Sequence, residues 1–234
     1  MPNSNLEQLV TAGRLLRPIL SELVFVGGSV TGLLVTDEAA VDFRPTLDVD
    51  AITASPSYAA YSAFAERLRS LGFSEDQRPN APLCRWVQHE TVLDVMPLDQ
   101  SILGFSNRWY ADALHSAARH QLTDDLEIRI VSAPFFLATK LEAFKGRGRG
   151  DFFSHDLEDI VSVVDGRESL IAEVRAESHE LQSYLHAEIG MLLLTPGFLD
   201  ALPGFLLPDK ASQSRIGLIL LRLQELAGAT PATA

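Results

Sequence analysis

The stretch FVGGSVTGLLVTDEAAVDFRPTLDVDAIT, residues 25–53, is the part of the sequence that indicates the fold. It begins inside an apolar run, residues 23–26, which stops at the Gly-Gly-Ser sequence of residues 27–29. When a strand ends in such a turn and leads into a helix, backbone N–H groups and a hydroxyl point at one place, which suits a phosphate group. The pattern therefore predicts a phosphate-binding turn after the first strand.

Two acidic residues, Asp48 and Asp50, lie in a second apolar segment, beside Val49, Ala51 and Ile52. Because side chains alternate along a strand, we expect both carboxylates on one face. Grouped carboxylates suit Mg²⁺ (or Mn²⁺), and such an ion in turn binds substrate phosphates. Each motif alone has an ordinary alternative, a common turn or a solvated acidic pair. Together the two motifs predict a nucleoside-triphosphate site with its metal.

The pattern of residues 28–50, Gly-Ser followed by Arg-x-Thr-x-Asp-x-Asp, resembles the first motif of the nucleotidyltransferase superfamily. The second part of it is similar to the AbiEii/AbiGii-type (MenT-like) toxin branch. The resemblance implies an α+β fold in which a mixed sheet flanked by helices is followed by a helical C-terminal region. It also implies metal-dependent transfer of a nucleotide from a triphosphate. The nucleotide-binding residues expected in this part of the chain are Gly27, Gly28, Ser29, Arg44 and Thr46.

Composition and charge narrow the class of protein. The chain has 234 residues, of which 47% are hydrophobic and 21% charged, as in one large or two small globular domains. There is no apolar run of bilayer length and no signal-peptide pattern, so we expect a cytoplasmic protein with no membrane partner. The net charge of −12 disfavours broad adhesion to nucleic acid, although a local basic patch still permits an RNA substrate. The single cysteine, Cys84, excludes an intrachain disulfide.

The third acid of the predicted metal site is Asp94, the one acidic residue in the apolar run of residues 92–96. Residues 83–88 and 91–96 flank His89-Glu90 and are predicted to form a hairpin. A buried strand accepts an isolated carboxylate only with compensation, and the resemblance places such an acid beside the Asp-x-Asp strand. The alternatives are an exposed edge position for Asp94, or Asp99 in its role. The predicted metal ligands, which are also predicted to be catalytic, are Asp48, Asp50 and Asp94.

From residue 133 onward the pattern predicts helices, which gives a catalytic domain at 1–132 and a helical C-terminal domain at 133–234. The first of these helices is predicted to end in a flexible basic loop, residues 145–150, since alternating glycines destabilise a helix. Arg147 and Arg149 in this loop suit the charge of a triphosphate, and a solvated connector is the alternative. Further helices are predicted at 154–166, 168–194 and 216–226.

A later part of the chain resembles a second motif of the same toxin branch, in which a helix lysine precedes Arg-Asp and Asp-Leu signatures. Here Lys140 is followed by Asp151 and then by Asp156-Leu157. The sequence departs from the motif, because Gly150 precedes Asp151 and the spacing to Asp156 is longer, which leaves the roles of Asp151 and Asp156 open. Lys140 is the fourth predicted catalytic residue, and Arg147 and Asp156 join the predicted nucleotide-binding set.

Two classes of function agree with these features. The first is an enzyme that moves a nucleoside monophosphate from an NTP to an acceptor hydroxyl. The resemblance implies a toxin that modifies the 3′ end of tRNA, with a cognate antitoxin as partner, and a protein or a small molecule is the alternative acceptor. The second is an NTP-binding regulatory or toxin–antitoxin partner without turnover. The intact set of acids favours the enzyme.

Overall fold

The computed structural model describes residues 4–40, 44–148 and 150–228. Its contacts divide the chain into two compact units, Met1–Gly32 with Arg44–Ser132, and Leu33–Phe43 with Ala133–Ala234. The segment that follows the Gly-Gly-Ser turn thus groups with the C-terminal helices, although it precedes most of the strands in sequence. The division into domains at residues 1–132 and 133–234, and the catalytic role of the first domain, stay predictions.

The first unit is built on a mixed sheet. Its described residues form seven strands: β1 Leu23–Val26, β2 Val49–Thr53, β3 Ser74–Glu75, β4 Arg85–Gln88, β5 Thr91–Pro97, β6 Ala118–Thr123 and β7 Leu126–Ile130. They lie in the order β3-β4-β5-β2-β1-β7-β6. The pairs β2–β5 and β1–β7 are parallel, and the remaining neighbours are antiparallel. The centre of the sheet is apolar, since all four residues of β1 are buried.

Helices accompany this sheet within the first unit. They are α1 Ser4–Leu15, α2 Thr31–Leu34 at the boundary of the units, α3 Tyr58–Ser70, α4 Gln100–Leu103 and α5 Tyr110–His115. The hydroxyl of Ser57 accepts a hydrogen bond from the N–H of Ala60 and so caps α3. The apolar face of α3 buries Phe64 and Leu68, and the Tyr61 hydroxyl donates to the Val95 carbonyl on β5 at 3.0 Å. The predicted α+β class, a mixed sheet flanked by helices and followed by helices, is confirmed.

The strand β6 was not predicted. Its sequence, ARHQLT, is mostly polar, and its side chains do not alternate cleanly between buried and exposed. It forms an antiparallel hairpin with β7 at the edge of the sheet, with an irregular register near Thr123. An edge strand has only one neighbour and a wetter surface, so its hydrophobic pattern is weak.

The second unit contains a set of helices. They are α6 Ala133–Gly148, α7 His155–Gly166, α8 Leu170–Ala176, α9 His179–Leu193, α10 Pro196–Ala201, α11 Lys210–Gln213 and α12 Ile216–Leu226, with a 3₁₀ turn at Leu202–Phe205. In the described part of the chain no single helix is long and apolar enough to cross a membrane. The bent pair formed by α9 and Pro196–Phe205, with an angle of 79°, meets that test only as a pair.

Two predicted elements of this unit were wrong. The basic segment 145–148 is the last turn of α6 and not a loop, because Lys145 is held by Glu188 at 2.6 Å and lies 5.1 Å from the centre of the Tyr184 ring. The predicted helix 168–194 is two helices, because Ser178 begins α9 by accepting a hydrogen bond from the N–H of Leu181. Arg149 and residues 229–234 lie outside the described residues.

Candidate functional site

Three neighbouring strands of the first unit bring the predicted acids and the glycine turn to one place. The last residue of β1, Val26, is the register partner of Asp50 on the antiparallel strand β2. Asp50 is in turn the register partner of Asp94 on the parallel strand β5. Since register partners share a face, the carboxylates of Asp50 and Asp94 are neighbours. Asp48 directly precedes β2, and Gly27 directly follows β1.

The turn after β1 requires glycine at position 27. Gly27 has φ of 71° and ψ of −169°, a backbone conformation that is close to glycine-only. A Cβ atom at this position would lie 1.9 Å from Oδ2 of Asp50, so the carboxylate packs directly against the turn. Gly28 and Ser29 are buried, and the Ser29 hydroxyl is 3.4 Å from the Val26 carbonyl. The hydroxyl that was expected to face a phosphate is therefore turned towards the protein interior.

We expect Gly27→Ala to lower the free energy of unfolding by about 2 kcal/mol, because it adds both a backbone strain and an overlap with Asp50. Denaturation in urea measures this change. Gly104→Ala is the matched control: its φ is 83°, but nothing lies within 4 Å of the added Cβ. The control substitution is expected to lower the free energy of unfolding by about 1 kcal/mol. Equal losses in the two variants would mean that the Asp50 carboxylate does not lie against the turn.

Arg85 is the residue at this site that the sequence analysis missed. It is the register partner of Asp94 across the β4–β5 hairpin. Its Nε atom donates to Oδ1 of Asp94 at 2.8 Å, and its Nη2 atom donates to Oδ2 of Asp94 at 2.8 Å and to Oδ2 of Asp48 at 2.5 Å. The Arg85 side chain is 22% exposed and that of Asp94 is 10% exposed. Hydrogen bonding to Asp94 raises the pKa of Arg85, so the guanidinium is charged throughout the accessible pH range.

A divalent ion shared by Asp48, Asp50 and Asp94 does not fit this arrangement. Three of the carboxylate oxygens of Asp48 and Asp94 already accept hydrogen bonds from Arg85. Among the residues that the structure describes, no group of three His, Cys, Asp or Glu side chains is arranged to hold a metal ion. Asp94 is the buried member of the three acids, and the positive charge beside it and Asp48 in this structure is that of an arginine.

Thr46, which was predicted to bind nucleotide, is buried and has a structural role. Its N–H donates to Oδ1 of Asn5 at 2.9 Å, and its carbonyl accepts from Nε2 of Gln8 at 2.9 Å. Its hydroxyl donates to the Asp48 carbonyl at 3.2 Å. The carbonyl of Arg44 also accepts from Asn5, at 3.0 Å. These bonds fasten the segment before β2 to α1 and so fix the position of Asp48.

Two further residues near the acids have local explanations. Asp99, the alternative third ligand, accepts a hydrogen bond from the N–H of Ser101 at 2.8 Å and caps α4. Cys84, next to Arg85, is buried, and burial together with the charges of Asp94 and Asp50 raises the pKa of its thiol to about 12. The thiol therefore stays protonated and unreactive at neutral pH.

Lys140 belongs to a second cluster of buried charges, within the helical unit. Its Nζ atom is 2.6 Å from Oδ2 of Asp159 and 3.3 Å from Oδ1 of Asp156. Asp156 and Asp159 lie one turn apart on α7, and all three side chains are at most 11% exposed. The exposed Arg147 approaches the same Asp156 oxygen at 3.4 Å. Lys140 thus binds two carboxylates. One belongs to Asp156, which was predicted to bind nucleotide, and the other to Asp159, which was not predicted.

Asp151, whose role the second motif left open, accepts a hydrogen bond from the N–H of Phe153 at 3.1 Å. This bond holds the turn that leads into α7.

Comparison with solved structures shows likenesses of fold. No protein-family model matches the sequence, and no curated protein matches it. Among solved structures, the chain is similar to an antigenic nucleotidyltransferase-like protein from Paracoccidioides brasiliensis, with 22% sequence identity and a TM-score of 0.48. The likeness covers 84% of this chain and 92% of that one.

Proposed function

We propose that this chain is a nucleotidyltransferase that moves a nucleoside monophosphate from an NTP to an acceptor hydroxyl. The observation that carries the proposal is the meeting of Gly27, Asp50 and Asp94 on three adjacent strands. Two carboxylates in register on neighbouring strands repel each other, and such pairs of acids occur preferentially at functional sites. The Gly27 turn lies directly against the Asp50 carboxylate, so a triphosphate held at the turn would lie next to the acids.

The proposed reaction is a displacement at phosphorus. The oxygen of the acceptor hydroxyl forms a bond to the α-phosphorus of the NTP, the bond to the bridging oxygen of the β-phosphate breaks, and pyrophosphate leaves. The proton of the hydroxyl passes to a carboxylate. Asp50 is our candidate for this base, because its carboxylate lies directly against the Gly27 turn, where a bound triphosphate would be held.

For the acceptor we propose the 3′ end of tRNA first, with a protein or a small molecule as alternatives. The resemblance of residues 44–50 to the toxin branch supports this order, and it also supports a cognate antitoxin as a partner. The test is to incubate the chain with α-labelled NTPs and each acceptor class in turn, in Mg²⁺, in Mn²⁺ and in chelator. We expect label on one acceptor class together with release of pyrophosphate. No label and no pyrophosphate in any arm would contradict the proposal.

A second candidate function is an NTP-binding partner without turnover. The observation that favours it is the bidentate bond between Arg85 and Asp94, which occupies a carboxylate that a transferase of this type would use. Calorimetry distinguishes the two functions when it is combined with the transfer assay. Binding of NTP without release of pyrophosphate would select the second candidate.

Arg147 is our candidate for a phosphate contact on the helical unit, because its side chain is 74% exposed and its pair with Asp156 is long. We expect Arg147→Ala to weaken NTP binding about fivefold, the size of one exposed charge contact, and to reduce its salt dependence. Arg175→Ala is the control, since Arg175 is 66% exposed and is also in a 3.3 Å pair, with Glu225. Equal affinities of Arg147→Ala and wild type at several salt concentrations would contradict a phosphate contact by Arg147.

A further inference from the structure

We propose that Arg85 takes the place of a divalent cation in this site, so that the protein binds NTP without a metal ion on Asp48 and Asp94. The inference rests on the proposed function, and it names Arg85 as the positioning residue of the carboxylates. Its basis is the fork of three hydrogen bonds from one guanidinium to the two acids, at 2.5 to 2.8 Å. Hydrogen bonds between charged groups are shorter and stronger than neutral ones.

The backbone holds Arg85 in this position independently of its side chain. Its N–H donates to the Pro82 carbonyl at 3.0 Å, and its carbonyl accepts from the N–H of Asp76 at 3.0 Å. The next residue, Trp86, is buried and pairs in register with Leu93 of β5. The arginine is therefore preset opposite Asp94 by the hairpin, and no rearrangement of the chain is needed to bring it there.

An ion that entered this site would have to displace the guanidinium. Displacement breaks three charge-assisted bonds and leaves a mostly buried arginine without its partners, which is unfavourable. An ion that entered without displacing it would be repelled at close range by a charge of the same sign. Both routes weaken binding of the ion, so we expect the wild-type carboxylates to be indifferent to Mg²⁺ and Mn²⁺.

Removal of the guanidinium is expected to create the metal site that the wild type lacks. We expect Arg85→Met to gain a rise in melting temperature of about 5–10 °C when Mg²⁺ or Mn²⁺ is present at a hundredfold excess over its Kd. The wild type is expected to shift by less than about 2 °C between chelator and the same ion concentration. A residue with a merely structural role would lower stability in chelator and Mg²⁺ alike.

Two further variants complete the experiment. Arg119→Met is the matched control, because Arg119 pairs with Glu127 across the β6–β7 hairpin but is exposed, and we expect no metal response from it. Arg85→Lys is the second test if Arg85→Met does not fold. A single ammonium group cannot bind all three carboxylate oxygens that the guanidinium binds, so Arg85→Lys is expected to give a smaller rise in melting temperature with the metal ion. The inference is overturned if wild type responds as strongly as Arg85→Met, or if neither Arg85 variant responds.

The proposed function is tested separately, because these melts contain no nucleotide. Calorimetry of wild type with NTP in chelator and in Mg²⁺ is expected to give affinities within about threefold of each other, a difference below about 1 kcal/mol. Binding that occurs only in Mg²⁺ would contradict the role of Arg85 and leave the proposed function standing. Absence of binding in both conditions would contradict the proposed function, while the melts still decide the role of Arg85.

Discussion

Asp94→Asn is expected to lower the free energy of unfolding by about 3 kcal/mol in buffer that contains a chelator. The substitution removes the charge that Arg85 contacts with two hydrogen bonds, and it leaves a guanidinium that is only 22% exposed with its bond to Asp48. A set of metal ligands predicts the opposite result, because removal of one of several repelling carboxylates leaves the metal-free protein at least as stable. Denaturation in urea separates the two cases.

The control for this prediction is Asp124→Asn, which changes an exposed acid in the turn between β6 and β7. Substitutions at such positions usually change stability by less than about 0.5 kcal/mol. If Asp94→Asn is as stable as this control in chelator, then the bonds from Arg85 do not contribute to the fold, and the acids return to the role of metal ligands.

Lys140→Met is expected to lower the free energy of unfolding by about 4 kcal/mol, the largest effect in the helical unit. Without the ammonium, Asp156 and Asp159 face each other one turn apart in a buried position. Asp159→Asn in the same chain is expected to restore part of the loss, and a double-mutant cycle is expected to give a coupling of about 1 kcal/mol or more. Urea denaturation of the four proteins measures it.

Lys210→Met is the control, because Lys210 is exposed at the start of α11. The prediction also separates two roles for Lys140. If Lys140→Met is as stable as wild type but loses transfer, the ammonium serves the substrate and not the two carboxylates. If it loses both, the transfer assay has to be repeated under conditions where the variant is folded.

The central part of the fold was predictable because its signals are local. The apolar run that ends at Gly27 and the acid-bearing run around Asp94 both form strands close to the predicted positions. The elements that were missed depend on contacts made elsewhere in the chain. The last turn of α6 is held by Glu188, which is distant in sequence, and glycine spacing alone therefore predicted a loop. The edge strand β6 has a polar sequence and depends on its pairing with β7.

The site was predictable in its acids but not in its cation. The spacing of Asp48 and Asp50 and the apolar neighbours of all three acids predict a positive charge beside them, and Arg85 supplies one to Asp48 and Asp94. The pattern does not say whether an ion or a side chain supplies it. One signal was present: with His89-Glu90 as the hairpin turn, Arg85 falls opposite Asp94. Similarly, Asp159 follows Asp156 by three residues on a helix, a spacing that places both on one face.

We propose that Asp50, Asp94 and the Gly27 turn together form the site of nucleotidyl transfer. The most direct test is the rate of pyrophosphate release from NTP, with the acceptor class that wild type labels, for wild type, Asp50→Asn and Asp124→Asn. The Asn side chain has nearly the same shape as Asp, so it keeps the packing against Gly27. We expect Asp50→Asn to lower the rate of pyrophosphate release by at least about 100-fold, and Asp124→Asn to leave this rate unchanged. Release by Asp50→Asn at the wild-type rate would contradict the claim.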